Sequence, residues 1–423
     1  MFFSQSLKTT LINSLFFLYL FFLFNRFTLV ELFEIKIEVS EIIFFFLFFL
    51  FLIFKYKTFF KEYVKLDFYF ALWPILNILI FFFQDSDIRN FQGIIFSFYS
   101  YCIYLVAKSF IKNVNIFYKF LLIVVVFNSI LSITGWVLVQ LDYETILVKY
   151  YEDYPLAILK EFRSSGFSPS PNFLFFHLAL GYLLVYKKMF EILSFDKKKF
   201  LFLNSIIFLG ILFTFSKSIL IFVFLIIYLF QQKKSSNINF KKFFLFGAII
   251  FLIFNFFTNF IVTTSKYFPF NKIENSIKTN NFYVAENKKN PLYENHYLKI
   301  YPSTYFTLKK KGFEILKENY FFGIGHNNFH IFLKDDYPNL VNSKPHSTIF
   351  SIVLLTGILG LILWIFLSLI IFNKIQLNKD FSSILVISFI MIEAINMDIH
   401  YFKFIWLILP IILTRKNKFY LNN

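Results

Sequence analysis

The chain has a single cysteine, Cys102, in 423 residues. An intrachain disulfide and a cysteine-based metal site are both excluded. Charge is scarce as well: 16% of residues are charged against 58% hydrophobic. The charges fall between long apolar runs instead of being spread along the chain, which excludes a soluble domain with one large core. No small-residue cleavage site follows the first apolar run, about 11–24, which ends at Asn25-Arg26. It reads as an uncleaved first span and not as a signal peptide. No internal repeat is visible, which counts against the repeat-built transporter plans. Alanine, glycine and arginine are few, while there are 71 Phe and much Lys, Asn and Ile. That pattern follows from AT-rich coding, so the net charge of +17 is weak evidence for a nucleic-acid partner. No nucleic-acid module is present.

What is there is a series of apolar runs of membrane-spanning type. They predict an all-α polytopic membrane protein of about 12 transmembrane helices, near 10–25, 42–54, 66–83, 91–107, 117–140, 172–186, 198–215, 217–232, 243–262, 347–372, 381–397 and 401–414. Lys and Arg cluster in alternate connections: Lys55–Lys65, Lys108–Lys119, Lys187–Lys199, Lys233–Lys242, Lys374–Lys379 and Arg415–Lys418. The other connections hold Glu31, Glu34, Glu38, Glu41, Asp85 and Asp87. Because short cytoplasmic loops carry the basic excess, both termini are expected in the cytoplasm. The 142–171 connection and the long 263–346 insert are expected outside. The run from Lys198 to Phe230 reads as two helices with a tight external turn at Phe215-Ser216-Lys217. A single helix would bury Lys217, at about 3 kcal/mol on insertion scales, and would turn Lys233–Lys242 outward. Within the insert, Ser303–Glu318 reads as a helix near the surface, followed by a permissive turn at Gly323-Ile324-Gly325-His326.

Three ionisable groups share one situation. Arg163 precedes the sixth helix, Lys217 starts the eighth, and His346 comes just before the tenth. All three helices begin at the external face. A helix N-terminus disfavours a cation by about 0.3–1 kcal/mol and welcomes an anion, so three such starts point to a shared anion, a diphosphate. Histidine is also the side chain most easily tuned near neutral pH. Blander readings stand beside these. Arg163 fits a solvated loop, Lys217 an interfacial lysine that snorkels, His346 a helix-end residue, and Gly357 and Gly360 small residues for helix packing in the membrane. Asn172 fits either a ligand amide or a helix cap. His326 and His330, with Asp335 and Asp336, have a metal-compatible spacing only if they are helical. His177, inside the sixth helix, is an intramembrane ionisable group. Glu393, Asp398 and His400 gather at the turn before the last helix.

These residues resemble the bacterial O-antigen ligase superfamily, from about Arg163 to Ile371. The sharpest match is His346-Ser347, nine residues, then Gly357-Ile358-Leu359-Gly360. It follows the family pattern of His, a small polar residue, nine residues, Gly, two residues, Gly. Arg163, Gly166, Pro171 and Asn172 look like the family's Arg-x-x-Gly…Pro-Asn stretch, and Gly323-Ile324-Gly325…Asn328-Phe329 like its Gly-x-Gly…Asn-Phe turn. At Ser216-Lys217 the family usually carries arginine, and lysine keeps the charge without the bidentate fork.

The resemblance implies a metal-independent membrane glycosyltransferase with no cofactor, similar in fold to GT-C-type enzymes, in the bacterial inner membrane. It implies an undecaprenyl-pyrophosphate-linked glycan as donor and an acceptor glycolipid, with transfer to a lipid A-core sugar hydroxyl on the periplasmic side. An O-antigen polymerase is the nearest alternative; a protein O-oligosaccharyltransferase and a non-catalytic polysaccharide transporter are further ones. His346 takes the catalytic role, Arg163 and Lys217 bind pyrophosphate, and Ser347, Gly357, Gly360, Asn172, Gly323 and Gly325 support the site. The expected division is 1–141 for N-terminal transmembrane helices, 142–372 for the catalytic region with the insert, and 373–423 for C-terminal transmembrane helices.

Overall fold

The computed structural model describes residues 5–32, 35–84, 88–111, 113–150, 162–194, 196–216, 218–232, 249, 253, 256, 259–264, 291–326, 328–334, 336–337, 347–378, 381–399 and 402–414. The fold is mostly helical. The helices are α1 (Gln5–Phe24), α2 (Val39–Glu62), α3 (Lys65–Phe83), α4 (Ile88–Phe110), α5 (Val114–Gln140), α6 (Pro171–Ile192), α7 (Lys197–Leu212) and α8 (Ile219–Gln232). After them come α9 (Thr304–Leu316), α10 (Phe329–Leu333), α11 (Thr348–Asn378), α12 (Phe381–Asn396) and α13 (Lys403–Thr414). Each helix expected from an apolar run is present except 243–262, most of which lies outside the described residues. The insert helix expected at Ser303–Glu318 is α9, capped by the Ser303 hydroxyl, which accepts from Phe306 N.

Among the described residues, five helices are long and apolar enough to cross a membrane: Leu7–Phe24, Lys65–Phe83, Phe91–Phe110, Val114–Gln140 and Thr348–Ile375. Pro171–Tyr186, Ser382–Ile395 and Lys403–Leu413 are shorter apolar helices. Large apolar side chains face outward along the helices, among them Phe45 and Phe49 of α2, Phe82 of α3, Phe202 of α7, Leu220 of α8 and Ile362 of α11. Exposed apolar surface on this scale belongs against lipid. Inside the bundle, small residues let helices close up. A methyl on Gly210 of α7 would sit 2.6 Å from Ser129 of α5, and Ser132 Oγ donates to the Gly210 carbonyl at 2.8 Å.

Small antiparallel sheets occupy the connections, a departure from the expected all-α fold. They are β1 (Thr28–Leu32) with β2 (Ile35–Glu38), β3 (Val148–Tyr150) with β4 (Phe162–Ser164), and the order β5 (Phe260–Thr264), β7 (Leu298–Pro302), β6 (Tyr293–Glu294).

Two ionic knots mark the ends of the bundle. At one end the fully buried Asp67 of α3 is held by Lys108 Nζ at 2.5 Å and Tyr104 OH at 2.8 Å, both from α4. At the other, Lys403 of α13 lies 3.0 Å from Glu38 and also pairs with Glu41, while Arg26 Nε approaches Glu38 at 3.3 Å. The insert packs at this second end. So do the starts of α6, α8 and α11, as the contacts below establish.

Candidate functional site

Arg163 sits in β4, and neighbouring bonds fix its backbone. Ser164 N donates to Phe213 O (3.1 Å), Ser164 Oγ to Ser132 O (2.8 Å), and Ser165 N to Leu147 O (2.9 Å). The side chain is buried. Its Nε donates to the Thr214 carbonyl at 3.0 Å, just past the end of α7, and Nη2 donates to Asn172 Oδ1 at 2.6 Å. The first contact meets one of the carbonyls a helix end leaves over, where a cation is favoured. Arginine has no acceptor, so the Asn172 atom facing it must be the oxygen. Ser216 Oγ donates to that same oxygen at 3.1 Å. Asn172 is therefore a junction between β4 and the α7–α8 turn and not a helix cap. The cap of α6 is Ser170, whose Oγ accepts from Phe173 N, with Pro171 in the first helical position.

The run from Lys198 to Phe230 is two helices, as its charge pattern required. α7 ends at Leu212, Phe215 takes a left-handed φ of 45°, and α8 begins at Ile219. Lys217 lies outside the described residues, but both its neighbours are fastened. Ser216 reaches Asn172, and Ser218 Oγ donates to Glu393 Oε2 of α12 at 3.0 Å. Glu393 is fully buried, and its Oε1 has no hydrogen-bond partner among the described residues.

His346 also lies outside the described residues. Ser347 after it caps α11, accepting from Phe350 N at 3.4 Å. The start of α11 is sewn to the end of α12. Thr348 N and Oγ1 donate to Met397 O (3.1 and 2.6 Å), Ile399 N donates to Thr348 Oγ1 (2.7 Å), and Ser351 Oγ donates to Asp398 Oδ1 (2.5 Å). Met397 N in turn bonds Glu393 O at 2.8 Å. A continuous path thus runs from Arg163 through Asn172, Ser216, Ser218, Glu393 and Met397 to Thr348. It joins the starts of α6, α8 and α11 at one end of the bundle.

The two glycine motifs turn out to be one feature. The expectation that Gly357 is a packing residue inside a continuous helix is corrected: it has φ 65° and ψ −162°, and α11 breaks there. That region of backbone space is open essentially to glycine alone. The break frees groups that a continuous helix would pair, and the insert turn pairs them instead. Ile324 N donates to Leu354 O, Gly325 N to Leu355 O, and Ile358 N to Tyr320 O, all at 2.9 Å. Gly323 (φ 71°) and Gly357 meet back to back; a methyl on Gly323 would stand 2.6 Å from Gly357 N. Gly325 is also left-handed, at φ 77°. Gly360 does face a packing contact, the Thr356 side chain of its own helix.

The condition for a metal pair, a helix that carries both His326 and His330, is not met. His326 lies in the turn before α10, which starts only at Phe329, and its Nε2 bonds Asn77 of α3. Asp335 and His400 lie outside the described residues. His177 is walled in by Phe24, Phe173, Phe402 and Phe404, with Nδ1 2.9 Å from Phe173 O.

Lys309 of α9 is a residue sequence reasoning passed over. Its Nζ donates to Asn259 Oδ1 at 3.1 Å. Burial lowers its pKa from the ordinary lysine value, and the Asp398 carboxylate pulls the other way. The insert therefore presents a half-buried cation on the Asp398 side of the α11 start.

A family model described as O-antigen ligase matches residues 202–365. The stretch covers α8, α9, α10, most of α7 and the broken part of α11, and with them Gly323, Gly325, Ser347, Gly357, Gly360 and the positions of Lys217 and His346. Arg163 and Asn172 precede it. Comparison with curated proteins finds no match.

Proposed function

Since the chain belongs to the O-antigen ligase superfamily through residues 202–365, we propose that it moves a glycan from an undecaprenyl-pyrophosphate carrier to an acceptor hydroxyl. In this reading the acceptor is a lipid A-core sugar at the periplasmic face of the inner membrane. The twelve-span arrangement, with the catalytic region at 142–372, frames the reaction. The bond from the anomeric carbon to the diphosphate oxygen breaks, and a bond from that carbon to the acceptor oxygen forms. His346 takes the acceptor proton as general base, which requires it to come within about 3.2 Å of that hydroxyl. Arg163 and Lys217 meet the charge that develops on the leaving diphosphate; preorganised charge of this kind is often the largest single contribution. The amide nitrogen of Asn172 adds a neutral donor, since its oxygen is already turned to Arg163 and Ser216.

One observation carries the reading: the path from Arg163 to Thr348, made of hydrogen bonds and the chain between Ser216 and Ser218, which holds the residues on both sides of Lys217 and the residues after His346 at one bundle end. Polymerisation is the second reading, with a growing glycan as acceptor. It has the same donor chemistry and is favoured by no separate observation.

The experiment is transfer by the purified protein from an undecaprenyl-pyrophosphate glycan. A single transfer to lipid A-core supports ligation, and a ladder of repeats supports polymerisation. His346→Ala is expected to abolish turnover. Near-normal turnover in that variant removes the general-base assignment. Passage of intact lipid-linked glycan across the bilayer without bond cleavage removes the transferase reading altogether.

A further inference from the structure

His326 takes no part in the chemistry proposed above, yet its side chain is buried and hydrogen-bonded. It belongs to the insert and is buried against two helices of the N-terminal half. Its Nε2 bonds Asn77 Oδ1 in α3. Asn77 Nδ2 is already used on its own helix, donating to Trp73 O at 2.8 Å. The atom left for His326 is therefore an acceptor, and Nε2 carries the proton. The ring fills space that α4 leaves open at Gly93: a methyl there would fall inside the imidazole. Gln84, just past the end of α3, donates to the Gly323 carbonyl of the same turn.

Asn77 lies six residues before the last residue of α3, Phe83, which is about 9 Å along a helix axis. The imidazole thus reaches below the end of α3. A polar pair buried there is costly unless bonded, so each partner has good reason to keep the other.

The turn that His326 anchors is the one that pairs with the break in α11. The first part of α11, Thr348–Thr356, is therefore a short half-helix with two fastenings. Its start is sewn to α12 at Met397, and its end is stitched to Tyr320, Ile324 and Gly325. The nine residues between Ser347 and Gly357 set the distance between these fastenings.

We propose that His326 is a positioning residue. By pinning the insert turn between α3 and α4, it fixes the lower end of the half-helix and so the aim of its start, which His346 precedes in the sequence. Helices outside the matched stretch thereby hold the site in register. The activity part of this proposal rests on the transferase reading; the structural part does not.

The test uses the full-length protein in detergent or nanodiscs, with two measurements on each variant: amide hydrogen exchange over 320–326 and 358, and kcat and KM with an undecaprenyl-pyrophosphate glycan. His326→Ala is expected to speed exchange at Ile324, Gly325 and Ile358 by about tenfold or more, as local opening does. It is expected to lower kcat by about 10- to 100-fold, the range a misplacement of about 1 Å produces, with donor KM little changed. His326→Gln, whose amide can still donate to Asn77, should recover much of both. Gly93→Ala should be damaging alone and clearly less damaging in the His326→Ala background, which removes the ring atoms the methyl would overlap and leaves only the Cβ, 2.5 Å away; such non-additivity marks direct contact.

Unchanged exchange in His326→Ala overturns the proposal. So does faster exchange with unchanged kcat, or equal damage from Gly93→Ala in both backgrounds. Slower turnover with unchanged exchange would make His326 a substrate contact instead. If the native protein transfers no glycan from this donor, the transferase reading fails, and the exchange data still decide whether the pin exists.

Discussion

Gly357→Ala is the sharpest perturbation the structure offers. The native backbone at this position, φ 65° and ψ −162°, costs a residue with a side chain about 1–3 kcal/mol. The added methyl would also run into the Phe321 carbonyl and crowd Gly323 N, 2.6 Å from the methyl. It can be relieved only by parting the insert turn from α11. That loses three backbone hydrogen bonds, those of Ile324, Gly325 and Ile358, each worth about 0.5–1.5 kcal/mol net. Together the effects come to about 3–7 kcal/mol, with the lower figure applying if α11 straightens and regains its own bonds. Unfolding in mixed micelles gives the magnitude, and glycan transfer gives the functional loss. Gly360→Ala is the control. Its methyl would run into Thr356 Oγ1 and stand 2.5 Å from Thr356 Cβ, with Ile352 in ordinary contact at 3.5 Å; that strains side chains, but it needs no left-handed backbone and parts no backbone hydrogen bond to the insert turn, so it should cost less than Gly357→Ala. A Gly357→Ala protein within about 1 kcal/mol of wild type, or a Gly360→Ala protein that is worse, would refute the account of the break.

Three further outcomes follow from the site and its surroundings. Lys217→Arg should keep transfer and Lys217→Ala should lose it; equal activity in the two makes the charge at that turn irrelevant. Arg163→Lys keeps the charge, but one ammonium replaces a fork that reaches both Thr214 O and Asn172 Oδ1, so kcat/KM should fall by roughly tenfold or more, read by steady-state transfer. Asp196 caps α7 and accepts from Lys199 N and Lys198 N, which holds its pKa below 3.8. Its folded pKa is depressed, so its contribution is present above the unfolded value and is lost as pH falls through the folded value. Melting temperature against pH should therefore show an acid-side loss that is smaller in Asp196→Asn, which keeps a capping oxygen but cannot titrate.

The helices were legible because long apolar runs separated by lysines leave few alternatives. The division at Phe215-Ser216-Lys217 was legible for the same reason, since an unbroken helix would have buried a lysine. The hairpin of β1 and β2 was missed although Ile35-Lys36-Ile37-Glu38 alternates with the period of a strand; a run of four residues between helices was too short to stand out. The break at Gly357 was missed for a different reason. Inside an apolar run a glycine reads as a packing residue, and only the carbonyls offered to Ile324 and Gly325 give it away. The His-to-Gly spacing stood out as a motif, but it was read inside one helix over 347–372, and nothing local said that the insert turn holds its far end. Pairings such as Asn77 with His326, or Ser218 with Glu393, join residues far apart along the chain, and no local pattern announces them. Asn172 was singled out from the sequence, but its partners could be named only once β4 and the α7–α8 turn were in place.

The open carbonyls of Leu354 and Leu355 carry a consequence for grafting. A chimaera that swaps the segment between α8 and α11 for a short linker, or for the equivalent segment of another protein, inherits a severed helix with nothing to occupy the cut. Any transplant meant to change glycan preference has to bring Tyr320 through Gly325 along, or replace Gly357 and let the helix heal.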